Sequence, residues 1–524
     1  MEGCWMPRGE CVAEVVDEEK NEINFQFNND PWLDNGLEYL YKILTDNNDH
    51  LCADVEVNGN GLKVITNNFN KFSEQLGIAI KNIRRNLVVW GVNDKTGEKK
   101  EIKKDFILIQ EGRKIGGVVA FKEDIYSPDR VISAVKNIVL LSYKDGGEIC
   151  VVCGERFHKP YKKLQQASYP FVTKIKSLSG IRSYKDGVRY SFREYFDNFC
   201  PRCYLLGILV WADSGLIYRT FTETGKSLLF LPKMGSFKEL IDFKESYRAL
   251  LNTSGRYSNI RVKVDRNEVE NTPGEYSTLL CFYEKFFAEV EDASSYATEW
   301  MVVHIPLGKV KSVKYDDIHL KSEIMDILRE IVQDEGISFY ADVIKEVYFF
   351  NDKPKGAPVD WETTREIQEK LAEYFLKDDF RRFTRQILPR KGGHVGFSRS
   401  AREDFESIIY LWRWKRMGIP KESLDTIKSV GNIIAVASKN NLSLLYKLDK
   451  ARNLGEFWSV LREVSRKIVG FNEKERAKIK PTALDNLIQL VKTYEDQWRE
   501  IRDLLVVYSS MYYSIKSRAG GEGE

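Results

Sequence analysis

The rhythm of hydrophobic and polar positions changes along this chain. In the first 150 or so residues, short apolar runs alternate with amphipathic stretches. Residues 86–90 and 106–109 read as strands, with Lys95-Thr96-Gly97-Glu98 as a turn signal between them. Asp30-Pro31-Trp32-Leu33-Asp34-Asn35-Gly36-Leu37 reads as a helix start, with Asp30 as N-cap, Pro31 at the first helical position and Asp34 in the first turn. Leu37, Leu40, Tyr41 and Leu44 carry that helix on. Residues 205–211 and 260–264 again look like strands. From Pro358 onward the period is helical. Leu484, Leu487, Ile488, Val491, Tyr494, Trp498, Ile501 and Leu505 predict one long helix, and Phe457, Val460, Leu461, Val464 and Ile468 another. With 405–414 and 427–436 they predict a C-terminal bundle of four or more helices.

Composition sharpens this picture only in part. With 524 residues, 43% apolar and 30% charged, the chain can bury a large core, which excludes disordered and collagen-like classes. The 80 Lys+Arg against 77 Asp+Glu leave +3, so any basic surface must arise from local segregation. The longest uncharged runs, such as 504–515, fall short of the roughly 20 residues a membrane span needs. The first thirty residues are acidic, the wrong sign for a signal peptide. The expectation is a cytoplasmic protein with no membrane partner.

Four of the eight cysteines form two equal spacings, Cys150-Val151-Val152-Cys153 and Cys200-Pro201-Arg202-Cys203. Two such knuckles can offer four thiolates to one tetrahedral Zn²⁺, and a saturated Cys₄ shell makes that metal structural. Two local disulfides or a redox dithiol are the alternatives. His158, five residues past the first pair, is a substitute ligand or an exposed loop residue. The expected fold is α+β in the N-terminal region with an inserted zinc-ribbon-like module, followed by an all-α C-terminal helical bundle. Its segments are 1–149 (α+β), 150–203 (the module), 204–357 (the α+β domain continued), 358–403 (a helical and basic Gly-rich connection) and 404–524 (the bundle).

Charge segregates in two places. Residues 154–199 hold ten bases, Lys162 and Lys163 among them, four acids and ten aromatics. Such a mixture suits either a nucleic-acid surface or the small core of a stapled insertion. Residues 381–402 hold seven bases (Arg381, Arg382, Arg385, Arg390, Lys391, Arg399 and Arg402) and no acid. The stretch from Pro389 to Gly396 within it cannot be helical, and arginine forks suit phosphate. It is either a nucleic-acid contact or a linker that meets an acidic partner subunit. Phosphate-loop, H-E-x-x-H, G-x-S-x-G and G-x-G-x-x-G motifs are absent, and the five histidines stand apart, so no catalytic residue is assigned.

The Asp30 to Leu37 motif is similar to the D-P-[FW]-x-D-x-G opening of large subunits in type I CRISPR effector (Cascade) complexes. The spaced cysteine pairs resemble the defining feature of their CXXC–CXXC branch. This resemblance implies a non-catalytic subunit in antiviral defence that binds the guide RNA (crRNA) handle and double-stranded target DNA. Such a subunit helps read the flanking motif (PAM), stabilises the R-loop, and contacts backbone subunits, small subunits and a helicase-nuclease. The alternatives are a metal-dependent nuclease and a zinc scaffold that binds only protein.

Overall fold

Asp30 ends an extended segment and starts the first helix, as its sequence context requires. Its carboxylate accepts hydrogen bonds from the backbone N–H groups of Trp32 and Leu33, at 3.0 and 3.1 Å. The structure, a computed structural model, describes residues 21–92, 96–107, 119–120, 127–143, 146–158, 168–171, 183–185, 188–190, 199–221, 224–248, 250–252, 261–264, 267–268, 272–290, 295–307, 313–351, 359–438, 441–476, 479–480 and 482–519. These fall into two compact units, Met1–Lys263 with Asp292–His319, and Val264–Glu291 with Leu320–Glu524.

In the first unit, strand β1 (Asn21–Gln26) turns Ile23 and Phe25 inward. It pairs antiparallel with β3 (Gly61–Thr66), which also pairs with β2 (Asp54–Asn58). Helix α1 (Pro31–Asp46) follows β1, and α2 (Phe69–Ile80) follows β3. The expected hairpin is β4 (Arg84–Val92) with β5 (Lys99–Ile107). Beyond α3 (Pro128–Tyr143), the two-residue strands β6 (Glu148–Ile149) and β7 (Arg156–Phe157) carry the first cysteine pair between them.

The strand expected over 205–211 is instead helix α4 (Pro201–Leu209), prolonged by a 3₁₀ turn (Val210–Ala212). These residues are buried on every side, so their apolar string has no period to separate helix from strand. The capping signals decide it: Cys200 is the N-cap and Pro201 the first helical residue. A four-stranded antiparallel sheet follows, in the order β8 (Ile217–Phe221), β9 (Lys226–Lys233), β10 (Glu299–His304) and β11 (Tyr315–His319). Helix α5 (Phe237–Arg248) follows β9 and buries Phe237, Leu240, Ile241, Phe243 and Tyr247.

The second unit contains α6 (Glu275–Glu289), α7 (Ser322–Gln333), α8 (Trp361–Leu376) and α9 (Phe380–Ile387). It also holds the antiparallel pair β12 (Val347–Asn351) and β13 (Gly393–Phe397). Two carboxylates, Glu284 buried and Glu369 half-buried, tie these helices to neighbouring segments. Glu369 of α8 accepts from the N–H of Tyr276 and Ser277 at the start of α6. Glu284 of α6 accepts from the Ser338 hydroxyl and the Tyr340 N–H. Burial pushes Glu369 up to about 7 and Glu284 up to about 8.

The Gly-rich stretch around Gly393 is thus a turn and a strand, non-helical as expected. The bundle comprises α10 (Arg399–Ile409), α11 (Leu424–Ser438), α12 (Ser443–Lys450), α13 (Leu454–Val469), α14 (Thr482–Thr493) and α15 (Trp498–Ala519). The described residues from 404 to 519 contain no strand. The long helix expected from Leu484 to Leu505 breaks at Tyr494 (φ −119°, ψ 53°), and one 3₁₀ turn (Glu495–Gln497) precedes α15. Val491 and Trp498 lie about two helical turns apart in sequence, so the apolar rhythm continues across the break and conceals it. In α15, Ile501 and Leu504 to Tyr508 are all buried, as befits a central helix.

Candidate metal centre and basic segment

The first cysteine pair sits on a knuckle. The Gly154 N–H donates to the Cys150 carbonyl at 3.0 Å, the Cys150 N–H donates to the Glu155 carbonyl at 2.9 Å, and Gly154 takes the left-handed conformation (φ 74°) the turn needs. The second pair opens helix α4 where a zinc ribbon would have a second hairpin. The cysteines are free thiols, and their four Sγ atoms lie within 4.8 Å of one another. Cys150–Cys203 and Cys153–Cys200 are 4.0 and 3.7 Å apart. Ligands of one tetrahedral ion with metal–sulfur bonds of about 2.3 Å stand ~3.8 Å apart, so the cluster fits a bound metal. Backbone N–H groups of Cys200 and Cys203 point at the Cys150 and Cys200 sulfurs, both at 3.4 Å. Hydrogen bonds from Cys153, Cys200 and Cys203 hold the Cys150 thiol well below the usual range. Cys150, Cys200 and Cys203 are at most 2% exposed. His158 is exposed, and the group that could hold a metal ion among the described residues is these four cysteines without it.

Two contacts anchor the cluster. Arg202, inside the second pair, donates to the carbonyls of Asn24 and Arg156 at 3.3 Å and pairs with Glu155 at 3.8 Å, which fastens the knuckle to β1. On its other side α4 packs on α1, where a Cβ on Gly36 would fall 2.1 Å from the Leu206 carbonyl oxygen; a Cβ on Gly207 would fall 2.0 Å from the Ser168 carbonyl oxygen. Only glycine allows that approach. Trp32 Nε1 donates to the Ser168 and Gly207 carbonyls at 2.8 and 3.1 Å, and its ring meets Trp211 and Phe171 edge-on. The Asp34 carboxylate accepts the Asn28 N–H at 2.9 Å, and burial pushes this carboxyl up to about 8. The helix-start motif and the cysteine pairs therefore build one packed unit.

Of the basic, aromatic insertion, Phe157 and Phe199 are buried, and Tyr169 packs on both Phe171 and Phe199. These rings form a small core. Lys162 and Lys163 lie outside the described residues. A second arrangement escaped the sequence because its members are far apart. Lys244 is fully buried between Glu38 and Asp213, at 2.5 Å from each, and Arg248 closes on Glu38 at 2.6 Å.

The seven bases of 381–402 do not share one environment. Arg381, 25% exposed, is held by Asp503 at 2.5 Å and Asp449 at 2.8 Å. Arg385 shares Asp449 at 3.2 Å but stays half exposed, and Arg382 is mostly exposed beside Asp379. Arg390 and Lys391 are exposed at the turn before β13. Arg402 is half-buried, its Nε enclosed without a hydrogen-bond partner among the described residues, and Arg399 begins α10. Arg381 is therefore occupied within the fold, by acids that lie 68 and 122 residues away. In return the fold brings further bases to this segment. Tyr446 of α12 donates to the Pro389 carbonyl at 2.9 Å, and the same helix carries exposed Lys447 and Lys450, with Arg452 just beyond it. Only the local charge of α12 could have signalled them. No helix among the described residues is long and apolar enough to cross a membrane. In comparison with known proteins, no family model and no curated protein matches this sequence.

Proposed function

We propose that the chain is a non-catalytic large subunit of a type I CRISPR effector complex. In this reading it grips the guide-RNA handle and target duplex through backbone charge, while guide–target pairing supplies most of the sequence recognition. It helps read the flanking motif, holds the opened strands, and presents surfaces to backbone and small subunits and to a helicase-nuclease in the cytoplasm. The bound metal is Zn²⁺, and with four thiolates filling its shell it serves structure alone.

One observation carries the reading: the two sequence features that resemble this family belong to one packed unit. Trp32 and Gly36 of the helix motif grip α4, and α4 begins at Cys200. The exposed bases Arg382, Arg390, Lys391, Lys450 and Arg452 add a surface suited to phosphate.

The test is filter binding of the full-length protein to labelled duplex and RNA across a salt series. Neutralising four phosphates gives a log–log slope of about −3.6 on duplex. Absence of nucleic-acid affinity at low salt overturns the proposal in favour of a protein-only scaffold. Cleavage of the labelled strands with Mg²⁺ or Mn²⁺, lost on substitution of one acid, overturns it in favour of a nuclease.

A further inference from the structure

The strand pair of the second unit carries an aromatic strip beside the basic turn. Tyr348 and Phe350 occupy alternate positions of β12 and so share one face. Opposite them on β13 stand Gly396 and His394. Val359 bridges to Phe350 and the Asp360 N–H donates to the Phe349 carbonyl at 2.9 Å, which delivers the first residue of α8, Trp361, to the same strand. The rings form a row. Trp361 lies 5.9 Å edge-on from Tyr348, Tyr348 lies 6.4 Å from Phe350, and Phe350 stacks on His394 at 5.8 Å and 24°.

Trp361 is 58% exposed, an uncommon position for an indole at a helix start, while Tyr348 and Phe350 are half-buried. The row has electrical polarity. At one end β13 begins at Gly393, bridged to Arg390 across a turn that exposes Arg390 and Lys391. By strand register this turn lies just past the Phe350–His394 pair. Among the described residues, Glu346 lies beside the Tyr348 hydroxyl, and Asp360 and Glu362 flank Trp361 at the other end of the row.

We infer that this strip is a stacking platform for an unpaired polynucleotide strand, with phosphates at the Arg390–Lys391 turn and bases over Phe350, Tyr348 and Trp361. Rings stack on any base and cations replace condensed counterions, so rings beside an exposed basic turn fit a single strand better than an apolar peptide. The inference rests on the nucleic-acid reading above and deepens it by naming where an opened strand lies.

The experiment is fluorescence anisotropy of the full-length, metal-loaded protein with three labelled probes: oligodeoxythymidylate, an abasic oligomer of equal length, and a duplex. Trp361→Ala, at an exposed position, weakens oligothymidylate binding roughly 10-fold. It leaves the abasic oligomer and the salt slope unmoved, and Trp361→Phe restores most of the affinity. Lys391→Ala weakens both single-stranded probes and flattens the slope by about 0.7. An equal loss on the abasic oligomer overturns the platform, as does an unchanged Trp361→Ala variant in a protein that binds DNA. Failure of the unaltered protein to bind any of the three probes overturns the functional reading itself.

Discussion

The cysteine pairs start 50 residues apart and finish with their sulfur atoms within 4.8 Å, whereas the seven bases of 381–402 start as neighbours and finish in different surroundings. The difference follows from the physics of each signal. A four-thiolate site is a closed set: its ligands have no other use, so equal spacings in the sequence anticipate their meeting. A run of cations is an open set, and any acid brought near by the fold can claim one of them. Asp449 and Asp503 claim Arg381 in this way, while the turn leaves Arg390 and Lys391 in solvent. Charge density along a chain therefore identifies a surface only after the folded acids have been subtracted.

The largest expected effect tests the closed set. Cys203→Ser removes a thiol that is 2% exposed and leaves three to hold the ion that the cluster fits. Since metal affinity is folding free energy, the variant should lose its bound metal and destabilise the first unit by on the order of 5 kcal/mol or more. Elemental analysis and calorimetry check both. A variant that keeps one ion per chain and an unchanged melting profile would remove the cysteines from the account, whereas alanine at Arg390 should leave metal content untouched.

Next comes Arg381, the member of the basic run held between two acids. Arg381→Ala removes the partner that Asp449 and Asp503 share, and their side chains are only 9 and 10% exposed. Removing one partner from a buried ion pair costs about 3–5 kcal/mol. Arg502 remains on Asp503 at 2.8 Å and Arg385 on Asp449, which places the expected loss at the lower end. Urea denaturation measures it. A loss below about 0.5 kcal/mol would mean that Arg381 behaves as a surface residue after all.

Acidity probes the cysteine side without touching the thiols. Asp34 is 3% exposed, and burial raises its carboxyl from 3.8 to about 8 in the folded protein. Below about pH 4 the folded and unfolded chains are both protonated at this site, so it contributes no slope. Between about pH 4 and 8 the folded state keeps a proton that the unfolded state has lost, so stability falls as pH rises through that window and levels off above it. Asp34→Asn can still accept the Asn28 N–H and should flatten this decline, by about 1–3 kcal/mol at pH 8. Melting temperature against pH decides, and an Asp34→Asn variant that parallels the unaltered protein refutes the buried carboxylate as its cause.

What the sequence made legible follows the same division. Asp30, Pro31 and Asp34 announce the start of α1 because capping is local, and Cys150 to Cys203 announce a cluster because ligand spacing is chemical. The functional look of the helix motif needed the fold to be understood: Trp32 and Gly36 serve the packing of α1 on α4. Helix α4 was hidden because complete burial erases periodicity, and the break at Tyr494 because a two-turn step preserves it. Strand β13 escaped because its glycines carry no pattern, and only its register with β12 makes it a strand. Lys244 between Glu38 and Asp213 was beyond reach, since no local rule pairs acids with a base across the fold.

The smallest effect on stability is expected where the effect on binding should be clearest. Arg390 and Lys391 are exposed at a turn, and the side-chain hydrogen bond of Arg390 among the described residues is a weak one, Nη2 to Gln386 at 3.4 Å. The double variant Arg390→Ala, Lys391→Ala should therefore change unfolding free energy by less than about 0.5 kcal/mol. If both cations sit on duplex phosphates, the same variant should flatten the log–log salt slope by about 1.8, since each lost contact removes ~0.9. Arg381→Ala should show the reverse, a marked loss of stability with an unchanged slope, because its guanidinium is already occupied by Asp449 and Asp503. Measuring both quantities on both variants separates structural arginines from those free to meet a phosphate. Equal slopes for the double variant and the unaltered chain would assign the whole segment to folding and move any nucleic-acid contact elsewhere on the molecule.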